Sequence, residues 1–330
     1  MKKQPVLHAA LALAAAILCL PAAAQAPAPY PSKPITFVVP FPPGSPTDVA
    51  ARIAATIVGD ALRQTVIVDY KSGASGAIAA RYVAHAAPDG YTLLATSAST
   101  HVAAPALNKN LPYDANKDFT PISPVAKTDI VVVGSPKFAV KGFAPLVDYV
   151  KQNPGKATFG SSGDGSVLHL SGELFASAVG SKLVHVPYRG AAPAAVDLLG
   201  GQVDLMFDTI SNAAQNIKAG KLQGFAVLSP QRSAVLPEVP TSAELGYPAI
   251  RVPAVWLGLM GPANMPRAVV EQLTDAIRQG VQRKDIQDRL ALAGMQADAL
   301  TSEAFGKRNR EEQKVFDDLV RKTGIKVEGQ

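Results

Sequence analysis

The sequence predicts an α/β protein of two domains, with one domain inserted into the other. Strand-like and helix-like segments alternate along the chain, which favours mainly parallel sheets flanked by helices. The same alternation begins again after Pro121. A strand-like return segment and a mostly helical stretch follow it. We therefore expect domain 1 to comprise residues 25–125 and 254–330, and domain 2 to comprise residues 126–253.

The first unit is predicted from short runs rich in β-branched and aromatic residues. These runs predict three strands, at Ile35–Pro40, Thr65–Asp69 and Tyr91–Thr96. Two segments with helical periodicity lie between them, Thr47–Leu62 and Ala77–Ala87. Each strand is thus followed by a helix until the third strand ends, as in a parallel α/β sheet.

The second unit opens with the β-branched run Ile130–Gly134, a predicted strand. Its other predicted strands are Ala157–Gly160, Lys182–Val186, Val203–Phe207 and Phe225–Ser229. Its predicted helices are Val167–Val179, Ala191–Leu199 and Ser211–Ala219. Proline-rich chain then leads to a predicted return strand, Ala254–Met260, and to the clearest terminal helices, Pro266–Gln282 and Thr301–Thr323.

Residues 1–24 are predicted to be a secretory signal peptide. Lys2 and Lys3 precede an apolar run from Val6 to Leu20, and small residues follow it from Pro21 to Ala26. The run is too short and too poorly flanked to be a membrane span. Cleavage after Ala24 would satisfy an A-x-A pattern, so we expect an exported protein.

Composition limits the function classes. The only cysteine, Cys19, lies in the predicted signal, so we expect a mature protein held together by its core without disulfides. Removing Lys2 and Lys3 changes the formal charge from +6 to +4, because 30 basic residues then stand against 26 acidic ones. That mild positive balance helps to steer anions to a cleft and does not indicate nucleic-acid binding.

The most informative stretch joins the first strand to the first helix. Ser45 can cap this helix, Pro46 suits its first position, and Asp48 completes a capping box. Gly44 lets a ligand approach the backbone, and the free N–H groups of a helix start attract anions. The elbow contains neither a P-loop nor a dinucleotide motif, so a small carboxylate suits it better than a nucleotide. An ordinary capped helix is the alternative.

A second helix start follows the strand that ends at Gly160. Its loop, GSSGDGS, offers N–H groups and hydroxyls, and two such starts from two domains can face one anion. Ser166 and His169 also invite a hydrolase interpretation, but no G-x-S-x-G elbow surrounds Ser166, so we expect no enzyme. The histidines lack metal-ligand spacing, so we expect no metal site.

Polar residues follow other predicted strands, where ligands of α/β sheets bind. Tyr188 and Arg189 come after one such strand, and Arg189 could bind a carboxylate with two hydrogen bonds or form a structural salt bridge. Asp208 also lies at a strand end. It could face a ligand that carries an ammonium or hydroxyl group, or it could cap a helix.

Six separated segments, in the family's order, resemble the substrate-binding receptors of tripartite tricarboxylate transporters, the Bug family. They read YPSKPITFVVPFPPGSPTD, APDGYTLL, LPYDANKDFTPIS, SSGDGSVLHLSGELF, VPYRGAAPAAVDLLGGQVDLMFD and LPEVPTSAELGYP. The resemblance implies a periplasmic, monomeric protein of the Venus-flytrap type, without a cofactor. Such a receptor would close on a di- or tricarboxylate, an acidic amino acid or an aromatic acid and deliver it to membrane transporter subunits. Presentation of the ligand to a membrane sensor kinase is the alternative.

The resemblance also implies a binding site. In those receptors the loops that match Pro42–Asp48 and Ser161–Ser166 hold a ligand carboxylate, which implies contacts from Pro43, Gly44, Ser45, Thr47, Ser162, Gly163, Gly165 and Ser166. Residues matching Thr96, Ser97, His169, Tyr188 and Asp208 line the cleft. Two departures occur. Ser45 replaces a usual glycine and would be strained at positive φ, and Tyr70-Lys71-Ser72 replaces a usual E-N-x-P.

Overall fold

A computed structural model describes residues 29–323 of the protein. The predicted signal peptide, residues 1–24, lies outside this range. Within it are eleven strands, which form two sheets: β1 (Ile35–Val39), β2 (Val66–Tyr70), β3 (Thr92–Ser97), β4 (Phe119–Thr128), β5 (Ile130–Gly134), β6 (Thr158–Ser161), β7 (Val184–Pro187), β8 (Leu205–Thr209), β9 (Gln223–Val227), β10 (Val255–Pro262) and β11 (Gln296–Ala297).

Helices cover the sheets. Ten α-helices lie in the described range: α1 (Pro46–Leu62), α2 (Ala77–Ala84), α3 (Ala104–Leu107), α4 (Phe143–Gln152), α5 (Val167–Val179), α6 (Ala191–Gly200), α7 (Ile210–Lys218), α8 (Arg267–Gly280), α9 (Lys284–Leu292) and α10 (Ser302–Thr323). A 3₁₀ turn, Ala74–Gly76, precedes α2, and a π-helical turn, Ser99–Ala103, precedes α3. None of the described helices is both long and apolar enough to cross a membrane.

Both sheets are mixed, whereas the sequence predicted mainly parallel ones. The first has the strand order β11-β4-β10-β3-β1-β2, and the second has the order β7-β6-β8-β5-β9. In the first sheet β1 runs parallel to β2 and β3, and β10 runs antiparallel to β3 and β4. In the second, β5 is antiparallel to both β8 and β9. Strands β5 and β10 run opposite to most strands of their sheets, and each is the first strand after the chain passes from the other sheet.

The long strand β4 was absent from the prediction because it contains two prolines. Proline cannot donate to a ladder and usually marks an edge strand or a bulge. Here Pro124 pairs with Gly258 and Pro121 pairs with Met260, and a register shift accompanies each pairing. The two irregularities let prolines occupy an interior strand. Since β4 ends at Thr128, it extends past residue 125, where the first domain was predicted to end, and the proposed domain boundaries stay a prediction.

The core holds helix α5 tightly against the second sheet. Gly172 lies in this helix directly over the ring of Phe159 of β6, and both residues are buried. A Cβ atom at Gly172 would come within 2.3 Å of the Phe159 ring. The absence of a side chain therefore lets α5 approach the strand whose end leads into its own first turn.

This close approach predicts a specific sensitivity to one methyl group. Gly172→Ala should lower the free energy of unfolding by about 1–3 kcal/mol, because the added methyl forces the Phe159 ring or the helix to move. Gly200→Ala, at the end of α6, is the matched control, since the added Cβ would come no nearer than 4.0 Å to its neighbour, a side-chain carbon of Gln202. Urea denaturation of both variants measures the difference, and equal stabilities would contradict the packing described.

Candidate functional site

The elbow before α1 folds as the sequence predicts. Ser45 has extended backbone angles, with φ −68° and ψ 156°, and its hydroxyl accepts a hydrogen bond from the Asp48 N–H at 3.3 Å. Pro46 is the first helical residue. Gly44, with φ +82°, adopts the left-handed conformation that glycine favours. Because Ser45 is outside that region, the serine adds a hydroxyl cap without backbone strain.

The Asp48 side chain holds the elbow in place. One carboxylate oxygen accepts the Gly44 N–H at 2.8 Å, and the other accepts the Tyr70 hydroxyl at 2.7 Å and the Arg52 Nε at 2.9 Å. Arg52 also donates to the Tyr70 hydroxyl. Burial and the bond to Asp48 raise the pKa of Tyr70, so its hydroxyl keeps the proton that it donates. Tyr70, one of the departures from the family pattern, therefore supports the elbow.

The second predicted loop also ends in a capped helix. Ser166 is the N-cap of α5, and its hydroxyl accepts the His169 N–H at 3.2 Å. The ring of His169 is directed elsewhere, because its Nδ1 accepts the Gly165 N–H at 3.2 Å. Ser166 thus acts as a helix cap, and its contact with His169 is to the backbone. The Ser166 hydroxyl therefore does not contact the His169 ring, a contact that the hydrolase interpretation of this pair requires.

The turn after β3 contributes to the same region. Its residues Ser99–Ala103 form a π-helical turn, a conformation that occurs often near functional sites. The Ser99 hydroxyl accepts the N–H of Val167, the first residue of α5, at 3.2 Å. A second hydrogen bond runs from the Ser75 hydroxyl to the Asp164 carbonyl at 2.6 Å. Loops of the first sheet therefore contact loops of the second beside the predicted site.

A cavity, the first chamber, lies where these loops meet. The space between its wall atoms is about 400 Å³, including its opening to solvent. The residues that line it are Phe41, Ser45, Pro46, Thr47, Ser97, Ser99, Ser162, Leu168, Ala191, Thr209, Val255 and Leu257. They include the first residues of α1 and α6, the second residue of α5 and the N-cap residue of α7. Four helix starts therefore border one cavity.

Three buried residues in the first chamber have hydroxyls that reach the chamber and have no partner in the described part of the protein. The residues Thr47, Ser97 and Ser162 are 4%, 2% and 9% exposed. None of these hydroxyls has a hydrogen-bond partner within residues 29–323. No ionisable side chain is among the residues that line this chamber. Its polarity comes from neutral donors and from helix N-termini, which carry partial positive charge and favour anions.

A second, larger cavity lies next to the first and shares Phe41 and Ser162 with it. This second chamber encloses about 1060 Å³. Its other lining residues are Gly73, Ala74, Ser75, Ala104, Asn108, Leu111, Gly163, Asp164, Gly165, Pro187, Tyr188 and Arg189. The Tyr188 hydroxyl donates to Asp197 at 2.7 Å, and burial raises the pKa of Tyr188 to about 12. Tyr188 therefore presents its ring and backbone to the chamber and uses its hydroxyl for the protein.

The structure brings together some predicted site residues and leaves others outside the two chambers. The first chamber contains Ser45, Thr47, Ser97 and Ser162, and the second contains Ser162, Gly163, Gly165 and Tyr188. The predicted residues outside both linings are Pro43, Gly44, Thr96, Ser166, His169 and Asp208. Most of these hold the site's framework. Thr96, for example, lies 3.0 Å from the Nδ1 atom of the buried His101.

Asp208 is fully buried at the start of α7. Its carboxylate accepts the Thr209 N–H at 2.8 Å and the Asn212 side-chain amide at 2.5 Å. Burial raises the pKa of Asp208 to about 7, and these two donors oppose the rise. The N-cap residue of α7 is Thr209, so Asp208 lies one position before the cap and accepts the N–H of the cap residue. Asp208 lines neither chamber, and its ligand contact stays a prediction.

His169 and His185 form a stacked pair that the sequence did not reveal. Their ring centroids are 3.8 Å apart and their planes differ by 7°. With Asp164 they place three possible metal-ligand atoms within 4.8 Å of one another. Parallel stacked rings direct their nitrogen lone pairs side by side and not toward one point, and His169 Nδ1 already accepts the Gly165 N–H. The arrangement therefore does not match the convergent ligands of a zinc site.

Sequence reasoning missed several lining residues for understandable reasons. Thr209 is the last residue of β8 and the N-cap residue of α7, so its position at a strand end was a usable signal. Ser99 lies in the π-helical turn, which has no reliable sequence pattern. Phe41, Leu168, Val255 and Leu257 are apolar, and an apolar residue in a cavity wall looks in sequence like any core residue.

Comparisons with known proteins agree with this architecture. Residues 50–325 match the model of the tripartite tricarboxylate transporter family receptor. The periplasmic binding protein BugD is 36% identical, with a TM-score of 0.84, over 90% of this chain and 99% of that one. MatC from Rhodopseudomonas palustris with bound malate is 32% identical, with a TM-score of 0.83, over 88% and 100%. Rpa4515 from R. palustris with adipate is 30% identical, with a TM-score of 0.87, over 90% and 99%.

The fold and the match define the class of protein, a two-domain α/β binding protein of the periplasmic type. The chain belongs to the tripartite tricarboxylate transporter receptor family, which includes the Bug proteins. The predicted family and fold class are thereby confirmed, apart from the mixed character of the sheets. The family consists of receptors for solutes, which agrees with the expectation of a binding protein.

The stacked histidines predict a pH dependence of stability. Burial lowers the pKa of His169 to about 4, and burial together with the adjacent His169 lowers that of His185 to about 3. In the unfolded chain both rings take up protons near pH 6.5, whereas the folded protein keeps them neutral to about pH 4. Stability contributed by the neutral pair is therefore present above pH 6.5 and decreases as the pH falls toward 4.

We expect His185→Gln to reduce this acid sensitivity. The difference in the free energy of unfolding, wild type minus variant, should fall by about 2 kcal/mol between pH 7 and pH 5. The reason is that the variant's unfolded state gains one proton fewer over this range. Urea denaturation at several pH values measures this difference. A difference that stays constant with pH would show that His185 titrates alike in the folded and unfolded states.

Proposed function

We propose that this protein is a periplasmic receptor that binds a small organic acid and delivers it to membrane subunits of a tripartite tricarboxylate transporter. One carboxylate of the acid would occupy the first chamber. Thr47, Ser97 and Ser162 would donate their hydroxyl protons to its oxygens, and the Thr47 N–H would add a backbone donor. The ligand would be a di- or tricarboxylate, an acidic amino acid or an aromatic acid.

The observation that carries the proposal is the set of three unpaired hydroxyls in the first chamber. These hydroxyls reach the chamber, so a ligand that displaces water from them must accept their protons or leave each one unsatisfied at a cost of about 1–3 kcal/mol. A carboxylate suits these donors because it only accepts hydrogen bonds. The four helix starts favour the same negative charge, and the chamber walls contain no acidic side chain that would oppose it.

Relatives support a carboxylate ligand. The MatC structure contains malate, and the Rpa4515 structure contains adipate. Both ligands are dicarboxylates, and both proteins align with about nine-tenths of this chain. Delivery to a transporter follows from the family description, and export to the periplasm agrees with the predicted signal peptide.

Binding would close two domains around the acid. We propose that residues 25–125 and 254–330 form one domain and residues 126–253 the other, as the sequence predicts. The hydrogen bonds from Ser75 to Asp164 and from Val167 to Ser99 would then connect the two domains next to the ligand. Such contacts would stabilise the closed form in a hinge-type motion.

A thermal-shift screen of the mature protein tests the function directly. The panel contains di- and tricarboxylates, acidic amino acids and aromatic acids, each beside its amide. A ligand at about 100 times its dissociation constant stabilises the folded state by about 2.7 kcal/mol, which raises the melting temperature by several degrees. We expect a shift with an acid and none with its amide. Equal shifts for an acid and its amide would contradict carboxylate recognition.

Single substitutions then test the hydroxyl contacts. Thr47→Val, Ser97→Ala and Ser162→Ala should each weaken binding of the acid identified in the screen by about 1–3 kcal/mol, because each removes a buried donor. Thr274→Val is the control. Its buried hydroxyl donates to the Ile122 carbonyl at 2.9 Å, and Thr274 lines neither chamber.

Isothermal titration calorimetry measures these affinities. The control should lose stability while it keeps wild-type affinity. If all three chamber variants bind the acid as tightly as the wild type does, the carboxylate does not occupy the first chamber.

A further inference from the structure

We propose that Arg189 binds the distal carboxylate of a dicarboxylate whose other carboxylate occupies the first chamber. This inference rests on the proposed function and adds the residue that separates dicarboxylates from monocarboxylates. The distal carboxylate would lie in the second chamber, whose wall includes Arg189.

The Arg189 guanidinium is a cation without a partner. It makes no hydrogen bond or ion pair with any other residue in the range 29–323. Arg52, Arg232 and Arg283 each have a carboxylate oxygen within 3.0 Å. Arg189 is exposed and has none among the described residues, as is also true of Arg81, which lines neither chamber. The structure thus does not contain the salt bridge that was the structural alternative for Arg189. A guanidinium presents a planar set of N–H donors that matches both oxygens of a carboxylate.

The backbone around Arg189 is fixed. The preceding residue, Tyr188, donates its N–H to the Ser161 carbonyl at 3.2 Å and its hydroxyl to Asp197 at 2.7 Å. The following residue, Gly190, has φ +139°, and a Cβ atom there would lie 3.1 Å from Pro42 Cδ. The loop therefore packs directly against the elbow of the first sheet, and this packing holds the base of the Arg189 side chain beside the site.

Arg189 is the one cation among the described residues that line the second chamber. The other ionisable residues there are Asp164 and Tyr188, and the Tyr188 hydroxyl is bound to Asp197. The His185 ring 3.5 Å from the Asp164 carboxylate is neutral and does not cancel its charge. A ligand carboxylate in this chamber would therefore lie beside Arg189 and away from Asp164. A polar chamber with a cation would leave an apolar ligand tail poorly matched.

The two chambers can be occupied by one molecule. They adjoin at Phe41 and Ser162, which line both, and the proposed ligand would pass between these two residues. The first chamber has donors but no cation, and the second has a cation. A molecule with a carboxylate at each end would match both, whereas a monocarboxylate would match only the first.

Diacids and their monoamides test whether Arg189 binds the second carboxylate. Succinate, glutarate and adipate, each beside its monoamide, are titrated by calorimetry into wild type, Arg189→Gln and the control Arg81→Gln at constant ionic strength. Arg81 lies in a groove outside both chambers. We expect Arg189→Gln to weaken the best diacid by about ten- to a hundredfold, as for the loss of a charged hydrogen-bond partner, and to leave the monoamide unchanged. Arg81→Gln should match the wild type with both.

The outcomes separate the inference from the proposed function. If the diacid and its monoamide bind the wild type and Arg189→Gln equally well, the receptor still binds a carboxylate, but Arg189 does not bind a second one. A diacid affinity that is unchanged in Arg189→Gln has the same meaning. If the wild type binds none of these acids and none in the wider screen, the proposed function fails and this inference fails with it.

Discussion

The convergence of helix starts on one small cavity is the constraint on which the rest of the structure depends. Each start must be held at the end of a strand, and at α1 and α5 side chains that cap the turns do this. Asp48 joins the Gly44 N–H, the Tyr70 hydroxyl and Arg52 at the first start, and Ser166 caps α5 at the second. The sheets position the starts, and the caps set their orientation toward the cavity.

Much of this arrangement was predictable from local sequence because its causes are local. The cap at Ser45, the proline at the first helical position and the span of α5 follow from residues within a few positions. Strand β4 was not predictable because its prolines are accommodated only by register shifts against β10, more than a hundred residues away. The stacking of His169 on His185 likewise depends on the pairing of β6 with β7, which spacing along the chain does not show.

Some site residues were likewise predictable from the sequence, and others were not. Ser45, Thr47 and Ser162 follow recognisable strand ends and were predicted, whereas Phe41, Val255 and Leu257 carry no polar signal in the sequence. Asp208 has a polar side chain at a strand end, yet its carboxylate is used for the first turn of α7. Position at a strand end therefore identifies candidates, and the hydrogen bonds already made by each side chain decide which of them remain available for a ligand.

An arrangement of neutral donors around the first chamber gives the proposed receptor a way to release its ligand. Helix starts and hydroxyls would hold the ligand carboxylate by many weak contacts. Opening of the domains would remove these contacts together. The most direct test is a crystal structure of the protein with the acid that gives the largest thermal shift. We predict a carboxylate in the first chamber, within about 3 Å of the Thr47, Ser97 and Ser162 hydroxyls. A bound acid with no carboxylate in that chamber would contradict the account.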